Sequence, residues 1–272
     1  MYHIYHIGGF SLAGTCSTLM NFIFDGLPGV FGAGGTYTLY EGRRDHPGCT
    51  ECDPPEACPI FSPTFIQYMR EVGPCRHWYP SIAKQAKAKI LYTHEGSWSL
   101  YKRYGHPNVG ILYHRNIRAW ATSDNIWWNQ DKRLEDSPTR ITDLGSFRRT
   151  IQRWVQWHER TLEIFKTQGV PFTTFDTDRF VDAQEEHLNA LCSFLGIPFD
   201  PRALKWWQLQ HHKLGGRYSS PSGRGRKSRL GNRIARDTRW RDFYPEGGDS
   251  IVLGSPDVQR VLRALRAHNR VQ

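Results

Sequence analysis

No stretch of the 272-residue chain strings together the apolar residues, roughly 18 in a row, that a membrane-spanning helix requires. Its start, Met1-Tyr2-His3-Ile4-Tyr5-His6-Ile7, has neither the basic opening nor the long apolar run of a secretory signal, so a cytoplasmic protein without a membrane partner is expected. Cysteine is sparse: six residues are too few to staple a chain of this length as a disulfide framework. No internal repeat is present, which excludes solenoids and propellers. Acids are outnumbered, 26 Asp and Glu against 36 Lys and Arg, and the net charge of +10 implies an anionic partner without saying which. What remains is a chain 39% hydrophobic and long enough to bury one large core. One domain over residues 1–272 is expected, carrying a Cys/Gly/Pro-rich insertion at about 26–63 and a basic loop at about 213–241.

Short apolar runs alternate with helical periodicity, the signature of an α/β domain on a parallel sheet. A strand is predicted near Tyr2 to Ile7, then a Gly/Ser-rich turn from Gly8 to Gly14 and a helix through Thr18, Leu19, Phe22 and Ile23. Apolar periodicity returns at Phe65 to Val72 and Ile82 to Ala88. Lys89 to Tyr92 and Val109 to His114 read as strands separated by the amphipathic Trp98 to Tyr104 segment. A long helix places Phe147, Ile151, Trp154, Val155, His158, Leu162 and Phe165 on one face, with Ser146 as its expected cap and Gly169 with Pro171 as its end. A strand at Pro171 to Phe175, a helix carrying Leu188, Leu191, Cys192 and Leu195, and a terminal helix over Val258 to Leu265 complete the pattern. The paired tryptophans Trp127-Trp128 and Trp206-Trp207 are expected in the core rather than in a binding pocket.

Two clusters stand out. Cys49, Cys52, Cys58 and Cys75 have a spacing that can hold a structural zinc, although the second tight pair of such sites is missing. The alternative is a surface excursion with reduced thiols, and on that reading no metal is required. From Lys213 to Arg241, ten basic residues face the single acid Asp237, interspersed with Gly and Ser as in Ser219-Ser220-Pro221-Ser222-Gly223. Such a segment suits a phosphate-seeking loop better than a solvated helix face.

The turn Ser11-Leu12-Ala13-Gly14-Thr15-Cys16-Ser17-Thr18 has the makings of a phosphate cradle. Small residues let backbone N–H groups converge on one anion, and the following helix turns its positive end toward it. It lacks the G-K-[ST] of nucleoside triphosphatases, and with it the lysine they place on the outer phosphates. The second motif is Ile111-Leu112-Tyr113-His114-Arg115-Asn116-Ile117-Arg118-Ala119-Trp120-Ala121-Thr122-Ser123: a buried strand ends at Arg115, a helix follows, and Ser123 stands about two helical turns on. A guanidinium fork with a hydroxyl makes a good phosphate clamp, since its bonds are bidentate and charge-assisted.

This segment resembles the 3'-phosphate-binding segment of the sulfotransferases that use 3'-phosphoadenosine 5'-phosphosulfate (PAPS), bacterial-type members above all. Lys89-Ile90-Leu91-Tyr92-Thr93-His94-Glu95 is similar to the strand that ends in that family's Lys-Thr-His signature. Leu195-Gly196-Ile197-Pro198-Phe199, His211-His212-Lys213-Leu214-Gly215-Gly216 and the Cys49 to Phe61 stretch resemble further segments of bacterial members. The resemblance implies a three-layer α/β fold of the P-loop-like sulfotransferase type, with a parallel central sheet. It implies transfer of a sulfuryl group from PAPS to a hydroxyl or amine of a small-molecule or glycan acceptor, with 3',5'-adenosine bisphosphate as product and no metal. The donor would lie on residues 11–18, Arg115 and Ser123. The basic candidates Arg217, Arg224, Arg226 and Lys227 would fold over the 3'-phosphate. His94 would be the catalytic base, a role suited to a side chain titrating near neutrality, with Glu95 as its alternate.

The chain departs from the family in one respect. The first loop normally carries a cation before Ser-Gly, where this sequence has Leu12-Ala13-Gly14-Thr15; Lys102, Arg103, Arg118 or a loop arginine would have to replace it. Tyr92 likewise stands where cytosolic members have a second lysine. Two other readings stay open: a P-loop phosphotransferase using ATP, and a basic nucleic-acid-binding protein using residues 213–241 with Trp206 and Trp207. Nucleic acid is the less favoured partner.

Overall fold

The apolar runs assemble into one parallel sheet of five strands: β1 (Tyr5–Phe10), β2 (Val30–Gly34), β3 (Ile90–His94), β4 (Val109–His114) and β5 (Phe172–Asp176), in the spatial order β2-β3-β1-β4-β5. The computed structural model describes residues 3–12, 15–36, 49, 51–52, 54–73, 75–95, 98–129, 141–214, 234 and 238–272. Connecting the strands are α1 (Ser17–Asp25), α2 (Pro63–Val72), α3 (Trp78–Gln85), α4 (Trp98–Tyr104), α5 (Ile117–Asn129) and α6 (Leu144–Gln168). After β5 come α7 (Thr177–Asp182), α8 (Gln184–Leu195) and the closing helices Gly248–Leu253 and Pro256–Ala267.

Strand order and handedness together sort the helices. Parallel crossovers are right-handed. The β1 to β2 connection runs toward one edge of the sheet, whereas those from β2 to β3, β3 to β4 and β4 to β5 run toward the other. So α1 lies on one face and α2 to α6 on the opposite face. The buried side chains divide accordingly. Met20, Phe22, Ile23 and Phe24 of α1 pack with Leu188 and Leu191 of α8 and with Trp206, while Ile82, Tyr101, Trp120, Ile151 and Trp154 form the second layer with Val258 and Leu265. Along β4 the strand period holds, with Ile111 and Tyr113 in the first cluster and Leu112 in the second. Gly110 lets α6 settle on the sheet, since a Cβ there would meet the Phe165 ring at 2.2 Å.

Several expectations shift. β1 begins at Tyr5 and continues through Gly8 and Gly9, which the sequence suggests as a turn, because both pair in register with β3 and β4. The stretch from Gly26 to Pro63 contributes the edge strand Val30–Gly34, so the first part of the expected insertion belongs to the sheet. The long helix is capped by Asp143, whose Oδ1 accepts from the Ser146 backbone N at 2.9 Å; Ser146 lies inside the first turn, buried, with its Oγ 3.3 Å from Asn125 Nδ2. At the other end Gly169 takes the left-handed conformation, φ 63°, as expected of a helix stop. No helix among the described residues is long and apolar enough to cross a membrane.

Candidate active site

In open parallel sheets, ligand sites form beyond the carboxyl ends of the strands where successive connections leave in opposite directions. Here that point is the end of β1, which alone sends its chain toward the β2 edge. The residues that follow, Ser11 to Cys16, lead into the N-terminus of α1. Ser11 and Thr15 are buried, and Cys16 is exposed in the left-handed conformation, φ 61°, with its carbonyl accepting from Met20 N at 3.0 Å. Thr15 Oγ1 donates to the Leu12 carbonyl at 2.7 Å, tightening the turn. Ser17 and Thr18 open the helix half-buried. Ala13 and Gly14 lie outside the described residues. Leu12 packs against the core and brings no charge.

β3 ends beside this loop, with Gly9 opposite His94 in the register. His94 Nε2 lies 2.8 Å from Ser11 Oγ. The pair exchanges one hydrogen bond, with Nε2 accepting from the serine hydroxyl when the ring carries its proton on Nδ1. Burial lowers the His94 pKa to about 4, below the near-neutral titration expected from the sequence, because the buried site disfavours the charged ring; the imidazole is neutral at neutral pH. Gly9 makes room for this arrangement: a Cβ would come within 2.5 Å of Tyr92 Oη and 3.1 Å of His94 Cδ2. The Tyr101 hydroxyl donates toward the carbonyls of Gly9 and Thr93, 3.2 Å from each, tying the two strand ends together.

Glu95 follows His94 and is 2% exposed. Its Oε1 accepts from Thr36 Oγ1 at 2.5 Å, Thr36 N at 3.1 Å and Tyr79 OH at 3.3 Å. Burial, then the neighbouring Glu95 carboxylate, hold Tyr79 and Tyr101 well above the ordinary phenol range, so both stay donors. This carboxylate ties the segment after β2 to α3 and to the end of β3.

Arg115, 8% exposed, follows the last residue of β4. Asn116 then caps α5: its Oδ1 accepts from Arg118 N at 2.9 Å, while its own N–H donates to Asp178 Oδ2 at 2.5 Å. Ser123 lies half-buried along the same helix. Of the cations named as replacements for a loop lysine, Arg118 pairs with Asp249 at 2.7 Å, and Lys102 and Arg103 are exposed on the last turn of α4, away from its β3 end. Arg217, Arg224, Arg226 and Lys227 lie outside the described residues. The chain entering that stretch is fixed at the sheet's carboxyl edge: Leu214 N donates to Ala33 O at 3.0 Å and Leu214 bridges to Gly34, the last residue of β2. The chain leaving it returns at Ile234, whose carbonyl accepts from Gln184 at the start of α8.

Tyr92 is wholly buried, stacked on Phe24 at 4.3 Å with its hydroxyl donated to Tyr113, so it does not stand in for a lysine of the site. Trp206 is core, stacked on Phe22 at 5.0 Å, as expected; the side chains of Trp127 and Trp128 lie outside the described residues. Cys49, Cys52 and Cys58 come together, but their fourth neighbour is His212 rather than Cys75, which packs ahead of α3.

Comparison with solved structures identifies the architecture. The chain superposes on a sulfotransferase domain from the Synechococcus PCC 7002 olefin synthase with a TM-score of 0.61, at 15% identity over 98% of this chain and 96% of that one. The chain has the sulfotransferase fold. A sulfotransferase domain from the curacin biosynthetic pathway gives a TM-score of 0.54, at 13% identity over 98% of both chains. No family model and no curated protein matches the sequence. Within the sulfotransferase fold, Thr36, Tyr79 and Tyr101 are supporting residues that sequence reasoning missed. They lie far from His94 and Ser11 along the chain or read as ordinary core aromatics, and only the sheet register brings them together.

Proposed function

We propose that the chain is a sulfotransferase that moves a sulfuryl group from PAPS to a hydroxyl or amine of a small-molecule or glycan acceptor. The observation that carries this reading is the Ser11–His94 pair at the carboxyl end of the central strand, next to the N-terminus of α1. The 5'-phosphosulfate would lie along residues 11–18, held by backbone N–H groups and the positive end of α1. Arg115 and Ser123 would hold the 3'-phosphate, with Arg217, Arg224, Arg226 and Lys227 as further partners.

In the reaction, an acceptor O–H takes the place of Ser11 as donor to His94 Nε2. Its oxygen attacks sulfur as the proton passes to the imidazole; the bond from sulfur to the bridging oxygen breaks, and 3',5'-adenosine bisphosphate leaves with that electron pair. A neutral imidazole is the form this step needs. Glu95, engaged by three donors, fits a positioning role better than that of base. Charge on the leaving phosphate would be met by α1 and by the basic segment rather than by a loop lysine. The proposal is tested by following bisphosphate release from PAPS across phenol, sugar and amine acceptors. Acceptor-dependent release that is lost in His94→Ala supports it, and no release with any acceptor counts against it.

A further inference from the structure

The Sγ atoms of Cys49, Cys52 and Cys58 and a ring nitrogen of His212 all lie within 4.8 Å of one another. His212 Nδ1 is 3.2 Å from Cys52 Sγ and 3.5 Å from Cys58 Sγ. A tetrahedral zinc, with bonds of about 2.3 Å to sulfur and 2.0–2.1 Å to nitrogen, has ligand atoms about 3.5–3.8 Å apart. We propose that Cys49, Cys52, Cys58 and His212 bind a structural zinc ion that fastens the cysteine-rich excursion to the root of the basic segment.

The surroundings are those of metal-bound thiolates. Cys49 Sγ accepts from the backbone N–H of Glu51 at 3.4 Å, and Cys58 Sγ accepts from that of Phe61 at 3.2 Å. The donors are the second residue after Cys49 and the third after Cys58, so in each case the chain folds back to point an N–H at the sulfur, as at a metal-bound thiolate. A disulfide would use two sulfurs and leave the third, and the imidazole, without purpose. Three thiolates and one imidazole select zinc over the hard cations, and four protein ligands mark a structural rather than a catalytic site.

His212 is aimed by its neighbours. His211 turns toward α1, with Nδ1 2.7 Å from Asp25 Oδ2 and Nε2 2.7 Å from the Trp206 carbonyl, so in this extended segment the next side chain points to the cysteines. Leu214 bridges both Cys49 and Gly34. Between Cys49 and Phe61 the only described helical element is the turn Pro55–Ala57, so metal binding supplies much of what orders the excursion.

The test is the zinc content of the full-length protein purified after growth with added zinc, read by mass spectrometry of the metal. About one zinc per chain is expected, falling at least fivefold in His212→Ala and Cys58→Ser and unchanged in Cys75→Ser. Substoichiometric zinc in the wild type, full zinc in His212→Ala, or iron with acid-labile sulfide would overturn the assignment. Should the variants fail to fold, cobalt replacement in the wild-type protein decides: intense thiolate-to-cobalt absorption with tetrahedral bands is expected, and their absence contradicts the site.

Discussion

Ser11 Oγ and His94 Nε2 are 2.8 Å apart across the boundary between two neighbouring parallel strands, and each sits where its strand ends. The contact exists because Gly9 carries no side chain and because Tyr101 ties the two strand ends. It presents a neutral imidazole at the mouth of the loop that opens α1.

His94→Gln is expected to lower kcat by about 100- to 10,000-fold, the usual worth of a positioned general base. The dissociation constant of 3',5'-adenosine bisphosphate should stay within about twofold of wild type, since the ring acts on the acceptor. Steady-state rates beside a calorimetric titration check this; equal losses in both would make His94 a nucleotide-binding residue.

Glu95→Gln separates support from catalysis. The substitution keeps an oxygen for the three donors that meet at Oε1 but removes its charge, weakening charge-assisted hydrogen bonds at a cost of about 1–3 kcal/mol in unfolding free energy. Urea titration should register that loss. A variant of wild-type stability with abolished turnover would instead assign the base to Glu95.

Gly9→Ala should destabilise by about 1–3 kcal/mol as the new methyl meets Tyr92 Oη and crowds His94. Adding Tyr92→Phe removes the atom in closest conflict. The double variant is therefore expected to lose less than the sum of the single ones in a thermal denaturation cycle.

Acid stability follows from buried histidines. Burial holds His6 and His158 down at about 3, against 6.5 in the unfolded chain. Between those values the unfolded state binds more protons, so stability is fully present above pH 6.5 and falls as the pH drops below it. Each costs about 2 kcal/mol at pH 5. Unfolding free energies measured from pH 7 to 5 should show this slope, and His158→Phe should flatten it.

Much of the scaffold is legible in the sequence because its signals are local. β4 falls on Val109–His114 as read, and α6 shows its buried face and its glycine stop. Sequence reasoning fails where partners are distant. Gly8 and Gly9 read as a turn, yet they are strand residues whose missing side chains admit Pro107 and Tyr92. Val30–Gly34 is short and glycine-rich, and only pairing with β3 makes it a strand. Cys75 is the nearer candidate along the chain, but the sheet edge carries His212 to the other three cysteines through Leu214. Ser11 and His94 both read as candidate site residues in the sequence; their contact does not, because it depends on β1 and β3 lying side by side.

The most direct measurement of the central claim is a thermal-shift titration with 3',5'-adenosine bisphosphate beside AMP, ADP and ATP with magnesium. A ligand at 100 times its dissociation constant adds about 2.7 kcal/mol to the folded state. The account predicts a rise in Tm with the bisphosphate alone, lost in Arg115→Ala; equal shifts with all four nucleotides, or none, would contradict it.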